Sequence, residues 1–169
     1  MGVLALTGAA AGCGYALAGR GSSLPATIKT VGIPLLENRT PYSRLEIVMT
    51  DRLRTEFIGR NKYRVVHETT GVEAVLKGEI IGFSLQTAAL NEQQLSSRQL
   101  VTIVLKVSFI NASDNEVLWS NDALTFRDEY QFAAGGISAT ALVDQERSTM
   151  ERIATDASRT IVTAIFEAF

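Results

Sequence analysis

Cysteine and histidine are almost missing from this sequence, and their scarcity excludes more than any motif suggests. Cys13 is the only cysteine, so no intramolecular disulfide framework exists. His67 is the only histidine, which removes the usual pairs and triads of metal ligands, and no metal or cofactor is expected. Proline occurs three times and charged residues make up 20% of the chain against 46% hydrophobic, a balance too apolar for a disordered protein. There is no basic excess either. Sixteen Lys and Arg face 18 Asp and Glu, a formal charge of -2, which argues against nucleic acid as a partner. At 169 residues the length suits one domain.

What charge there is divides along the chain. Seven basic residues between Arg39 and Arg64 meet only three acids, whereas from Asp114 onward ten acids meet four arginines. Two solvated helix faces of opposite sign are the plainer reading, and a docked polar ligand or partner the sharper one. A nucleophile elbow, a Gly-rich phosphate loop, a zinc spacing and a glycosidase-like carboxylate pair are all absent, so no enzyme activity is indicated. His67 sits among strand-forming residues, where a hydrogen-bonded structural role is expected rather than a catalytic base. Asp128 and Glu129, the best adjacent carboxylates, would point to opposite faces of a strand and meet solvent. Trp119 and Phe126 are expected to pack on the sheet. Asn38-Arg39-Thr40 matches a glycosylation acceptor, a match made incidental if the residues around Cys13 are a bacterial lipobox, which they resemble.

The first twelve residues carry no charge, and their apolar run is far shorter than the roughly 18 residues that span a bilayer. Its length fits the apolar region of a secretory signal, with small residues crowding the cleavage end. Ala11-Gly12-Cys13 resembles the bacterial lipobox, in which the cysteine becomes the acylated first residue of the mature protein. Residues 1–12 are therefore expected to be a signal peptide, Cys13 a lipid anchor, and 13–24 a flexible Gly/Ser-containing tether. Several acyl chains make membrane attachment stable. Gly14 is not the aspartate that resembles an inner-membrane retention signal, which leaves the periplasmic side of the outer membrane as the destination.

A single domain is expected over 25–169. Thr27 to Ile33 is β-branched and flanked by Pro25 and Pro34, which predicts a strand. Ser43 and Glu46 have capping-box spacing, and Leu45, Val48, Met49, Leu53 and Phe57 follow at helical intervals. Tyr63 to His67, Leu76 to Leu85, Leu100 to Ile110 and Val117 to Phe126 predict four more strands, the last two forming an antiparallel hairpin about Asn111 to Glu116. Thr87 to Arg98 and Ala133 to Gly136 read as mobile connections. A closing helix over Ala139 to Phe169 carries Met150, Ile153, Ala157, Ile161 and Ile165 on one side. The fold class is α+β: a two-layer domain with a mixed sheet of about four to five strands and two helices packed against it.

In this order the segments resemble the LPS-assembly lipoprotein family, LptE. The carriers are Gly12-Cys13-Gly14-Tyr15, Leu24 to Val31, Glu37-Asn38-Arg39-Thr40, Leu53 to Phe57, Ala74 to Ile80, Glu116 to Trp119 and the closing amphipathic helix. The resemblance implies a lipid-anchored outer-membrane protein whose domain plugs the lumen of a large β-barrel, LptD, and which with that barrel delivers lipopolysaccharide to the outer leaflet. It implies no cofactor and no turnover chemistry. Family members are thought to bind lipopolysaccharide through basic residues near one end of the sheet. Here that connection reads Asn91-Glu92-Gln93-Gln94, so Arg98 and Lys106 are hypothetical contacts on position alone. Ile28 to Ile33 followed by Glu37 to Thr40 also resembles the opening of periplasmic lipoproteins that regulate a cell-wall synthase or build a secretion pore.

Overall fold

The computed structural model describes residues 24–60, 62–90, 96–133 and 139–169. The proposed signal peptide, Cys13 and the tether up to Ser23 lie outside the described residues, as do 91–95 and 134–138. In chain order the elements are β1 (Thr30–Gly32), β2 (Glu37–Asn38), α1 (Leu45–Gly59), β3 (Arg64–Val66), β4 (Ala74–Leu90), β5 (Ser96–Asn111), β6 (Val117–Ala133) and α2 (Ala139–Glu167). The sheet runs β3-β1-β4-β5-β6, with β2 pairing beside β1 on β4. Its β1–β3, β1–β4 and β2–β4 pairs are parallel, and the β4–β5 and β5–β6 pairs antiparallel. The architecture is the expected α+β one, with six strands rather than four to five.

Alternation on β5 dictates the two layers. Val101, Ile103, Leu105, Val107 and Phe109 are at most 1% exposed, while Lys106 between them is exposed. The apolar row is the floor on which α1 and α2 rest through Met49, Leu53, Phe57, Ile153, Ala157 and Ile161. Phe57 links the layers: its ring lies 6.2 Å from Phe109 and 5.9 Å from Phe166. On β4 the inward phase changes. An extra residue between Ile80 and Gly82 lets Ile80 face Leu105 and Phe83 face Ile103, so both stay on the helix side and Ile81 turns outward.

Several elements differ from the sequence expectation. Ser43 and Glu46 form no capping box: Arg44 occupies the cap position at φ 70 without a side-chain cap, and the Glu46 carboxylate accepts from Asn38 Nδ2 at 2.7 Å instead. β2 was not anticipated, because two polar residues carry no apolar alternation. The described ends of the expected mobile connection, Thr87 to Leu90 and Ser96 to Arg98, belong to β4 and β5, where ladder pairing outweighs their polar composition. Ala133, the start of the other one, ends β6. His67 is not the hydrogen-bonded structural histidine expected: it is exposed just beyond β3, and its side chain makes no hydrogen bond among the described residues.

Candidate functional site

Both helices cover one face of the sheet, and the other carries no helix among the described residues. Rows across that outer face follow from the register: Gln86, Leu100, Glu129; then Ser84, Thr102, Arg127; then Gly82, Val104, Thr125; then Lys77, Ser108, Ser120. Polar side chains dominate. Its exposed apolar residues are apart: Ile81 sits midway along β4 and Val117 at the start of β6.

Charges on this face alternate in sign across neighbouring strands. Arg39, just after β2, reaches Glu37 at 3.1 Å and Glu79 of β4 at 3.1 Å. Glu79 stands opposite Lys106 of β5 in the register, and Lys106 Nζ lies 3.2 Å from Asp122 of β6. A second pair, Arg98 and Glu129, is 3.7 Å apart. Such exposed pairs contribute little to stability, and both partners stay open to exchange with an incoming ion. Arg127, between the two pairs, is exposed and has no ion pair among the described residues.

The structure thus places Arg98 and Lys106 on one strand and one face. It does not bring them together: eight positions of β5 separate them by roughly 27 Å. Each is matched to its own carboxylate, so they make two contact points rather than one cluster. Asp128 and Glu129 point to opposite faces as alternation requires: Asp128 Oδ2 accepts from Arg152 Nε of α2 at 2.8 Å, while Glu129 meets Arg98 outside. Trp119 and Phe126 are partly buried against the core, as expected for sheet-face packing.

The Glu37 to Thr40 segment, quoted only as a family carrier, has a structural explanation that its composition does not reveal. Asn38 Nδ2 donates to the Tyr42 carbonyl at 2.7 Å and to Glu46, while its Oδ1 accepts from the Thr40 N–H at 3.0 Å and the Thr40 hydroxyl at 2.7 Å. One amide therefore shapes the turn from β2 into α1. An Asn38 so engaged has no free amide for a glycan, consistent with reading that match as incidental. Thr50 Oγ1, fully buried, continues the lock by accepting from the Leu36 N–H at 3.0 Å and donating to the Glu46 carbonyl at 2.6 Å.

The basic and acidic stretches of the sequence meet between the helices. Arg52 of α1 and Arg147 of α2 each lie 3.6 Å from Glu151. Beside them, a cleft of about 440 Å³ is lined by Tyr42, Arg44, Val48, Arg147 and Glu151 among others. The Tyr42 ring stacks on Phe83 at 4.4 Å and its hydroxyl donates to Glu146 at 2.8 Å. Burial first, and then that carboxylate, push the Tyr42 phenol well above the usual tyrosine range. A phenol kept protonated is a fastener rather than a base. Among the described residues no cluster of three His, Cys, Asp or Glu side chains is placed to hold a metal. No helix among them is long and apolar enough to cross a membrane.

Comparison with known proteins agrees with this architecture. No curated protein matches the sequence. Among solved structures, a hypothetical protein from Chlamydia trachomatis superposes with a TM-score of 0.57 at 11% identity, over 82% of this chain and 96% of that one. A protein from Xanthomonas campestris gives 0.55 at 14% identity over 83% and 85%. An uncharacterized lipoprotein B from Nitrosomonas europaea gives 0.52 at 17% identity over 89% and 88%. At such identities these likenesses speak for the fold alone. The sequence itself is matched over residues 28–165 by the model of LptE, described as lipopolysaccharide-assembly, and the chain belongs to the LptE family.

Proposed function

We propose that this chain is a non-catalytic outer-membrane lipoprotein, anchored through Cys13, whose domain plugs and helps assemble an LptD β-barrel in lipopolysaccharide transport. The family match over 28–165 carries the reading. The uncovered sheet face supports it: a barrel lumen of this type is aqueous and polar, and a domain with one polar, charge-alternating face suits it better than an apolar one. An acylated tether would hold plug and barrel at high effective concentration. Depleting the chain should leave the barrel immature and surface lipopolysaccharide reduced; normal surface lipopolysaccharide together with a cell-wall or secretion defect would reject the reading.

Arg98 and Lys106 are the proposed lipopolysaccharide contacts. Each would exchange its carboxylate partner, Glu129 or Asp122, for a lipid phosphate. Reversing both charges in the purified domain should abolish lipopolysaccharide binding. Unchanged binding would eliminate the pair.

A further inference from the structure

β6 forms one edge of the sheet and runs for 17 residues, far longer than the three of β3 at the other edge. A long free edge offers a row of unpaired peptide groups to any second strand. Between Leu124 and Ala133 it pairs with β5 in unbroken register, so the outward row there follows simple alternation. Glu129 identifies the row, because both of its peptide groups are taken by side chains. Its N–H donates to Asp128 Oδ1 at 2.8 Å, and its carbonyl accepts from Arg152 Nη2 at 3.4 Å. The same two residues are joined by the 2.8 Å bond from Arg152 Nε to Asp128 Oδ2, which ties α2 to the edge. At the other end, Asn121 Oδ1 accepts from the Ala123 N–H at 3.0 Å, beside a register shift against β5. The outward peptide groups of Thr125 and Arg127 have no such cover among the described residues.

We infer that Asp128 and Arg152 form a latch that stops β6 from pairing with β6 of a second copy of this chain. The occupant follows from the placement of the covers. Ala123 and Glu129 lie three residues either side of Phe126, so a two-fold axis at Phe126 sets the Thr125 of each copy against the Arg127 of the other. That register matches every open donor with an open acceptor, as an isologous contact requires. It then puts Ala123 opposite Glu129, where the latch and Asn121 end the ladder after two residue pairs. Two pairs are too few to hold independent domains together, and the diagonal approach of the two Arg127 side chains opposes even these. With the latch removed, the Glu129 N–H of each copy is free for the Ala123 carbonyl of the other, even though Asn121 keeps the Ala123 N–H, and the added bond on both sides shifts the balance toward the dimer.

The test is sedimentation of the full chain as wild type, as D128A/R152A and as D128A/R152A/T125P. Proline at 125 deletes an outward N–H without touching the bonds to β5. The wild type should remain monomeric over the range in which D128A/R152A dimerises, a fall in dissociation constant of roughly tenfold or more, and T125P should restore the monomer. Hydrogen exchange of the Thr125 and Arg127 amides gives a second readout. They should exchange quickly in the wild type and become protected in the dimer, and thermal melts check that each variant is folded. A folded D128A/R152A that stays monomeric, a wild type that dimerises equally well, or a dimer that survives T125P with the Arg127 amide unprotected overturns the inference.

Discussion

The two faces of the β4–β6 sheet are made from alternate residues of the same strands, yet different constraints govern them. On the helix side, Val101, Ile103, Leu105, Val107 and Phe109 are sealed under α1 and α2, so every methylene counts toward stability. On the outer side, Arg98, Lys106, Thr125 and Arg127 meet solvent, with Arg98 beside Glu129 and Lys106 beside Asp122. Their identities are little restricted by folding, which leaves them free to serve a partner or ligand. The difference teaches where to look: the inner face explains why the chain folds, and the outer face holds the residues that folding leaves open to a partner or ligand.

Mutations sharpen that contrast. Phe109→Ala removes a fully buried ring that meets Phe57, and a loss of about 3–5 kcal/mol in denaturant unfolding is expected. Lys106→Ala, three residues away on the other face, should cost under about 1 kcal/mol, since its bond to Asp122 is exposed. Equal losses from the two would erase the distinction.

Arg54→Ala is next in size. From α1 its Nε and Nη2 both donate to the Ile33 carbonyl, at 3.0 and 2.7 Å, just after β1. Losing this charge-assisted pair should cost roughly 2 kcal/mol, read in the same unfolding experiment. A cost near zero would show that the helix layer does not depend on this tie to the sheet.

Tyr42→Phe acts through pH. The fold holds the Tyr42 proton above the ordinary value of 10.0, so the folded state keeps a proton that the unfolded chain releases. Its contribution is complete below pH 10 and is lost as pH climbs through the raised folded value. Unfolding midpoints followed into alkali should therefore fall less steeply for Tyr42→Phe than for the wild type. The smallest effect belongs to Ser158, whose buried Oγ has no hydrogen-bond partner among the described residues. Ser158→Ala should raise stability, by up to about 1 kcal/mol, because it removes an unpaid desolvation cost.

The inner face was legible in the sequence because alternation and helical spacing record burial directly. β5, the β5–β6 hairpin and α2 all follow from it, and so does the divergence of Asp128 and Glu129. The outer face and the ties between layers were less legible. Glu37 and Asn38 carry no apolar pattern, and the bonds of Asn38 depend on the fold placing Tyr42, Thr40 and Glu46 around it. Sequence spacing marked Ser43 and Glu46 as a cap, but Asn38 claims the carboxylate and Arg44 turns left-handed instead. The sequence put Arg98 in a connection and Lys106 on a strand, and only the fold shows both on β5, each with a carboxylate beside it.

The most direct test of the account is a pull-down of the full chain from detergent-solubilised bacterial envelope, with mass spectrometry of whatever accompanies it. The account predicts a large outer-membrane β-barrel of the LptD kind, retained with lipopolysaccharide and with an acylated Cys13 on the chain. Recovery of an unacylated chain with no barrel would contradict it.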